Sequence, residues 1–249
     1  MRTVRLHADG LRLEELPRPE PGPDEVLVRV HAAAITRDEL TWPTDRLPAT
    51  PSYELAGVVE STGEAVIGLT PFDRDGVAAE WAVVPRSVLA PKPSGLSDEE
   101  AAALPMPGLS AWQGLVVHGR LRAGERVLVT GRHGGVGHVA VQLAERLGGV
   151  LVDDGESCDL LFDTTGGEAL ARSAETAGRI VTIAEEAPNA HYFVVEPDGA
   201  QLAALPELHP QIDTIFPLEE FAAAFARTAQ RGKRGKVVLR IGDGAAAAD

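Results

Sequence analysis

A single cysteine, Cys158, stands in a chain of 249 residues, which excludes an internal disulfide and any zinc site built from several thiolates. No base lies near it in sequence, so it reads as a packed apolar filler and not as a nucleophile. No apolar run approaches the length of a membrane span, and the opening MRTVRLHADGLRLEELPRPE lacks the apolar core of about 7 to 15 residues that a secretory leader carries. The expectation is a cytoplasmic protein with no membrane partner. Positive charge is scarce as well: 23 Lys and Arg face 37 Asp and Glu, for a net charge of −14. Nucleic acid or an anionic membrane would be repelled by that mean field, which leaves small molecules as the expected partners. What remains is ordinary for a globular protein, with 44% hydrophobic and 24% charged residues, in a chain long enough for one large or two modest domains.

The most informative stretch is Val127 to Leu147, VLVTGRHGGVGHVAVQLAERL. A short apolar run meets Gly131, Gly134, Gly135 and Gly137, after which Val136, Val139, Ala140, Leu143, Ala144 and Leu147 recur at helical spacing. Glycines at a strand-to-helix turn let the backbone double back and approach a ligand, and the free N–H groups of the helix start favour an anion such as a pyrophosphate. The spacing is GxxGGVG and not the usual GxGxxG, so the strand-turn-helix context carries the reading of a dinucleotide site. A glycine-rich turn that binds nothing is the alternative. Asp153 and Asp154 follow Gly131 by 22 and 23 residues, close to where an acid would bond a ribose 2′-OH and select NAD. His133 and His138 flank the loop and could meet a phosphate, or lie exposed.

Before this stretch the pattern is short and strand-like, at Thr3 to His7, Leu11 to Leu16, Glu25 to Ala32, Leu55 to Ser61, Trp81 to Pro85 and Val88 to Ala90, punctuated by proline and glycine. Asp38, Glu39 and Trp42 are candidates to line a cleft or to sit in a solvated turn. Ser97-Asp98-Glu99-Glu100 offers a helix N-cap with acids in the first turn, and a second helix takes in Ser110 to His118 after Pro105 and Pro107. Beyond the glycine stretch come strands at Val150 to Val152, Leu160 to Asp163, Arg179 to Ala184 and Phe193 to Glu196, with helices at Glu168 to Ala177 and Asp198 to Leu205. Alternation of this kind predicts a parallel sheet faced by helices. One link conflicts with it: the seven residues DDGESCD between Val152 and Leu160 are too few for a parallel crossover, which takes about a dozen or more. A βα unit is missing, and Val150 to Asp163 should form a hairpin or one strand plus a surface loop. The end reads as strand (Ile212 to Phe216), helix (Leu218 to Ala229) and strand (Lys236 to Ile241), with a disordered tail GDGAAAAD. Arg231, Lys233, Arg234 and Lys236 form the one basic cluster, which reads as compensation of a helix dipole.

The stretches EVLVRVHAAAITRDEL, PSYELAGVVE, AALPMPGLSAWQGL, AGERVLVTGRHGGVGHVAVQLAERLG, DLLFDTTGGE, GRIVTIAEE and RGKRGKVVLRI together resemble the zinc-free, quinone oxidoreductase or zeta-crystallin-like branch of the medium-chain dehydrogenase/reductase superfamily. The resemblance implies an α/β protein with a GroES-like β-rich substrate domain (residues 1–112), a Rossmann doubly wound cofactor domain lacking about one βα unit (residues 113–208), and a return to the substrate domain (residues 209–249), with the cleft between them. It also implies a homodimer and NADPH-dependent reduction of quinones or α,β-unsaturated carbonyls. Carried over, Gly131, Gly134, Gly135, Val136 and Gly137 fall on the pyrophosphate loop. Thr164, Thr165 and Gly166, with Ile183 and Ala184, face the cofactor; Phe193 and Val194 lie near the nicotinamide; Ser110 supplies a hydroxyl beside that ring; and Lys233 sits on a turn reaching toward the cofactor. Trp42 and Tyr53 would rest against the substrate, with Tyr53 or Glu54 a candidate proton donor.

The departures carry as much weight. Arg37 and Ser52-Tyr53-Glu54 stand where zinc-dependent relatives have a cysteine and a Gly-His-Glu, so no metal is expected. Ile35 and Leu40 replace the asparagine and tyrosine that flank the position of Asp38 in quinone reductases. The resemblance aligns VLVDD equally well with a later strand whose acids are solvated. The chain is shorter than its relatives, with losses between Val66 and Phe72, between Leu147 and Leu160, and near Leu205 to Pro210. The second loss removes the region that grips the adenosine ribose and its 2′-phosphate, so weak binding with little discrimination between NADPH and NADH is expected. The cofactor is thus NADP(H), with NAD(H) or none as alternatives. The competing function is a trimmed descendant that does non-redox chemistry or serves as a binding or dimerising module.

Overall fold

A computed structural model describes residues 1–42, 45–230 and 232–242; Arg231 and all but the first residue of the predicted disordered tail lie outside them. The chain divides into two compact units, one of Met1–Pro105, Pro197–Ala203 and Gln211–Asp249, the other of Met106–Glu196 and Ala204–Pro210.

In the first unit β1 (Arg2–His7) and β2 (Gly10–Glu15) form an antiparallel hairpin. β3 (Glu25–Ile35) is the longest strand and is buried almost throughout, because it is bonded along both edges: β4 (Glu54–Val59) runs down one side, while β6 (Trp81–Pro85) pairs with its first half on the other. A strand the sequence reading omits, β5 (Ala65–Leu69), pairs antiparallel with β4 inside the region read as a loss. β7 (Leu89–Pro91) closes that edge. α1 (Asp98–Ala102) opens on the expected cap: Ser97 Oγ accepts from Glu100 N at 3.2 Å and Glu100 Oε2 accepts from Ser97 N at 2.9 Å, a reciprocal capping box.

The second unit begins with α2 (Pro105–Trp112), which widens into a π-turn over Gln113–His118. The helix starts at Pro105 and takes in both prolines within its first turn instead of beginning after them, since proline in a first turn forfeits no hydrogen bond. β8 (Arg126–Val129), α3 (Gly135–Arg146), β9 (Val150–Leu151), β10 (Cys158–Asp163), α4 (Gly167–Ala174), β11 (Ala177–Thr182) and β12 (His191–Tyr192) follow. β12 lies just ahead of the predicted Phe193 to Glu196; the last ladder bond is from Phe193 N to Thr182 O. All five strands are parallel, in the order β12-β11-β10-β8-β9. Against the doubly wound order 3-2-1-4-5-6, this sheet lacks the outermost strand.

The expectation for Val150 to Asp163 therefore needs correcting. β9 and β10 are neither a hairpin nor a strand plus a loop but two parallel strands on opposite sides of β8. The crossover rule assumes that the chain must climb back along a full strand. β9 has two residues, so the return is minimal, and the lateral step of two strand spacings is only about 10 Å, within reach of six residues spanning up to ~20 Å. The crossing loop is anchored by Arg126, whose Nε donates to Ser157 O at 2.8 Å, and by Ser173 Oγ to Asp154 at 3.2 Å. Val152 and Cys158 pack with Leu128, Leu161 and Leu170 beneath it, so the cysteine is the buried filler the sequence suggests.

The chain then returns to the first unit through α5 (Gly199–Ala203), which packs on β7: a Cβ at Gly199 would lie 2.4 Å from Leu89 O. β13 (Ile212–Pro217), α6 (Phe221–Ala229) and β14 (Lys236–Arg240) complete the first sheet in the order β13-β14-β3-β4-β5-β7. Asp213 on β13 bonds Arg227 of α6 at 2.7 and 2.8 Å, while Leu218, Ala224 and Phe225 join the core of Val28, Val30, Leu55, Val237 and Leu239. Among the described residues no helix is long and apolar enough to cross a membrane.

Candidate functional site

In the second unit the strand order reverses between β8 and β10, and in open parallel sheets ligands bind beyond the carboxyl ends of the strands at such a point. The segments that meet there are Thr130 to Gly137 and Asp163 to Gly166. Gly131 has φ +65°, and Gly134 caps α3 and donates to Gly131 O at 2.8 Å. The first bond of the helix is from His138 N to Gly134 O, which leaves the N–H groups of Gly135, Val136 and Gly137 without an acceptor in the helix. Gly137 is buried beneath the turn, where a Cβ would lie 2.1 Å from Gly131 O. The five predicted loop residues thus come together with free N–H groups and close backbone approach. His133 is exposed and His138 half-buried.

The neighbouring loop is organised by a residue that the sequence reading passed over. Asp163 is fully buried, and its carboxylate accepts from Thr130 Oγ1 at 2.6 Å, Thr182 Oγ1 at 2.8 Å, Thr165 Oγ1 at 3.0 Å and Gly166 N at 3.0 Å. Thr164 closes the link back to the glycine strand, donating from N to Thr130 Oγ1 at 2.9 Å and from Oγ1 to Thr130 O at 2.8 Å. The signal was there in DLLFDTTGG, an acid ending an apolar strand just before hydroxyls and a glycine turn. Gly166 is buried with φ +68°, Ile183 is half-buried and Ala184 exposed. Phe193 is buried against His118, ring centroids 4.6 Å apart, while Val194 is exposed. Ser110 is buried within α2. Asp153 lies one residue beyond β9, so VLVDD opens with the strand after α3, and Asp153 is bonded to Arg132 of the glycine turn at 2.9 Å.

The first unit gathers a second constellation from three turns. Trp42 and Tyr53 are stacked at 5.7 Å, and Phe72 meets both edge-on at 5.3 Å. Behind them Glu39 is buried: its Oε2 accepts from Thr36 N and its Oε1 from Ser52 N, each at 2.8 Å. Burial pushes the Glu39 carboxyl up to about 7; the Thr36 N–H, the Lys236 charge and the Ser52 N–H oppose this, and Glu54 adds to it. Burial also raises the Tyr53 hydroxyl, with the Glu39 charge acting in the same direction. Glu54 is fully buried and paired with the Lys236 ammonium, which also donates to Thr36 Oγ1 at 3.0 Å, so it is a structural anion and not a free proton donor. Lys233 is half-buried, and burial together with the charges of Lys236 and Arg37 lowers its pKa.

The Zinc-binding dehydrogenase family matches residues 138–239, and the Alcohol dehydrogenase GroES-like domain family matches residues 22–94. A probable mitochondrial zinc-binding oxidoreductase of Arthroderma benhamiae is 30% identical over 94% of this chain and 94% of its own length. The chain belongs to the medium-chain dehydrogenase/reductase superfamily. Within it, the quinone oxidoreductase-like branch is the one matched: the solved quinone oxidoreductase of Thermus thermophilus, known also in complex with NADPH, is 30% identical, with a TM-score of 0.83 over 96% of this chain and all of that one. An acryloyl-coenzyme A reductase of Sulfurisphaera tokodaii is 31% identical over 57% of this chain and 54% of its own length. The alignment with the Arthroderma relative runs over 311 positions, more than this superfamily member has residues, so the excess falls in gaps of this chain. The protein is an oxidoreductase of the family. Among the described residues no group of three or more His, Cys, Asp or Glu could hold a metal ion.

Proposed function

We propose that the protein reduces a quinone or an α,β-unsaturated carbonyl compound with NADPH, without zinc, as a cytoplasmic homodimer. The observation that carries this reading is the glycine turn at the reversal of the parallel sheet. Gly137 lies so close under Gly131 that only hydrogen fits, and three helix-start N–H groups are left free for a diphosphate. A nicotinamide cofactor bound there supplies the hydride. The chain's own part is orientation and electrostatics: Gly135, Val136 and Gly137 hold the pyrophosphate through N–H groups, while Asp163 fixes Thr130, Thr165 and Thr182 so that the Thr164 to Gly166 and Ile183 to Ala184 turns keep their shape beside the cofactor.

On the first unit, the Trp42–Tyr53–Phe72 rings offer an aromatic surface for a conjugated substrate. With Glu54 consumed by Lys236, the proton that follows hydride addition comes from water or from the Tyr53 hydroxyl. The acryloyl-coenzyme A reductase and quinone oxidoreductase relatives support both substrate classes. Dimerisation finds support in the outer edge of β12, where Tyr192 and Val194 are exposed.

The missing outermost strand favours one competing reading, a trimmed member that no longer does redox work. The test is to titrate the purified chain with NADPH and NADH by calorimetry, then follow loss of reduced-nicotinamide absorbance with benzoquinone, cyclohexenone and an acryloyl thioester. Turnover with one class supports the proposal. Nucleotide binding without turnover of any of them, or no binding, transfers the conclusion to the non-redox reading.

A further inference from the structure

Arg132 sits inside the glycine turn, yet its side chain is not a loose surface arm. It folds over the carboxyl ends of two strands: Nε donates to Val129 O of β8 at 3.3 Å, Nη2 donates to Val152 O just past β9, and Nη1 meets Asp153 Oδ1 at 2.9 Å. The two partners of this ion pair are held unequally. The guanidinium is 31% exposed and tied to two strand-end carbonyls, whereas the Asp153 side chain is 84% exposed and has no other bond among the described residues. The other acids of the loop face their own partners, Asp154 the Ser173 hydroxyl and Glu156 the Arg126 guanidinium and the Asp153 N–H. β9 is the edge of the sheet, so no described strand lies over the pair on that side.

In doubly wound dinucleotide folds the end of the strand after the glycine helix is where an acid accepts from the ribose 2′-OH, or where an arginine receives a 2′-phosphate. Here both groups are present and bonded to each other. A phosphate monoester brings close to two negative charges and three acceptor oxygens, against one charge for the carboxylate. It can therefore take Asp153's place on Arg132 while the guanidinium keeps its carbonyl bonds. A plain ribose hydroxyl offers nothing that would separate the pair, and the carboxylate it would need is already engaged.

We propose that Arg132 reads the adenosine 2′-phosphate and that Asp153 is its built-in competitor, so that the short chain selects NADPH although the strand beyond β9 is missing. This rests on the nicotinamide reading above. The experiment is calorimetric titration of the full chain and of Arg132→Ala and Asp153→Asn with NADPH, NADH, adenosine 2′,5′-bisphosphate and 5′-AMP, at low and raised salt, with melting curves to establish that each variant is folded. The wild type is expected to bind NADPH at least tenfold more tightly than NADH, and the bisphosphate more tightly than 5′-AMP, with both preferences shrinking in salt. Arg132→Ala should abolish the preference and leave NADH within about twofold of wild type. Asp153→Asn should tighten NADPH severalfold without changing NADH; it is a surface change that retains the fold and serves alone if Arg132→Ala does not fold. Equal affinities in the wild type, or a preference for NADH that Asp153→Asn destroys, would overturn this proposal and leave the nicotinamide reading intact. Binding of none of the four nucleotides would overturn both.

Discussion

Replacing Gly137 by valine tests the cradle most directly. An added Cβ would sit 2.1 Å from Gly131 O, 2.5 Å from Gly131 C and 3.0 Å from Arg132 N, so relief needs a backbone shift of about 1 Å or more to restore ordinary contact. Neither side yields easily. The turn is pinned, because Thr130 just before Gly131 is held by Thr164, whose N donates to Thr130 Oγ1 and whose Oγ1 donates to Thr130 O; the helix is pinned by buried Val139, Ala140, Leu143 and Ala144. Overpacking of this kind costs about 1 to 3 kcal/mol, and in a chain of this size each kcal/mol moves Tm by roughly 2 to 4 °C. Gly137→Val is therefore expected to lower Tm by several degrees, or to open the turn and lose the Tm increase that saturating NADPH gives the wild type. Gly137→Ala should lie between the two, since alanine recovers up to about 1 kcal/mol of helix propensity. Differential scanning calorimetry with and without NADPH reads both effects, and Gly95→Ala, where no atom lies within 4 Å, controls for the added methyl. Wild-type melting together with a wild-type NADPH shift in Gly137→Val would refute the cradle.

Three further outcomes follow from buried polar groups and the ring cluster. Asp163→Ala strips an acceptor from three threonine hydroxyls and the Gly166 N–H at a fully buried position, and should cost about 3 to 5 kcal/mol in urea unfolding, with Asp163→Asn costing less. Glu39, raised from the ordinary carboxylate value to about 7, holds its proton in the folded chain over a range where the unfolded chain has released it. Stability should therefore fall as pH rises from about 4.5 to 7 and level off above; Glu39→Gln should flatten that slope in urea midpoints taken across the window, and an unchanged slope would reject the assignment. Trp42→Ala removes one face of the aromatic stack and should raise KM for a quinone severalfold more than it lowers kcat, read from initial rates.

Helix and strand identities were legible wherever periodicity and caps agreed. Ser97 with Glu100, the GxxGGVG turn and the apolar run before it, and the β13-α6-β14 return all needed only local chemistry. The Val150 to Asp163 segment was misjudged because strand length enters the crossover rule, and a two-residue strand is too short to announce itself. β5 was passed over because AVIGL follows a short turn and carries a glycine. In the site, Gly131 and Gly137 could be read because each has a backbone reason to be glycine, a positive φ at the first and a close approach at the second. Asp163, Glu39 and Arg132 could not be weighed from sequence, since what distinguishes them is the number of donors and carbonyls that converge from separate segments once the sheet forms.

The two-residue β9 also bears on how such a protein tolerates loss of sequence. In an open doubly wound sheet the outermost strand is bonded along one edge only, so removing it together with its helix dismantles no ladder among the strands that remain. The hazard is the newly bare rim, which could template pairing with another chain. Here the rim is almost too short to offer a register, its loop carries Asp153, Asp154 and Glu156, and Arg132 already occupies the Val152 carbonyl. A larger α/β enzyme could be pared back from this side in one step, provided that the cut leaves a stub of about one ladder rung and a charged crossing loop.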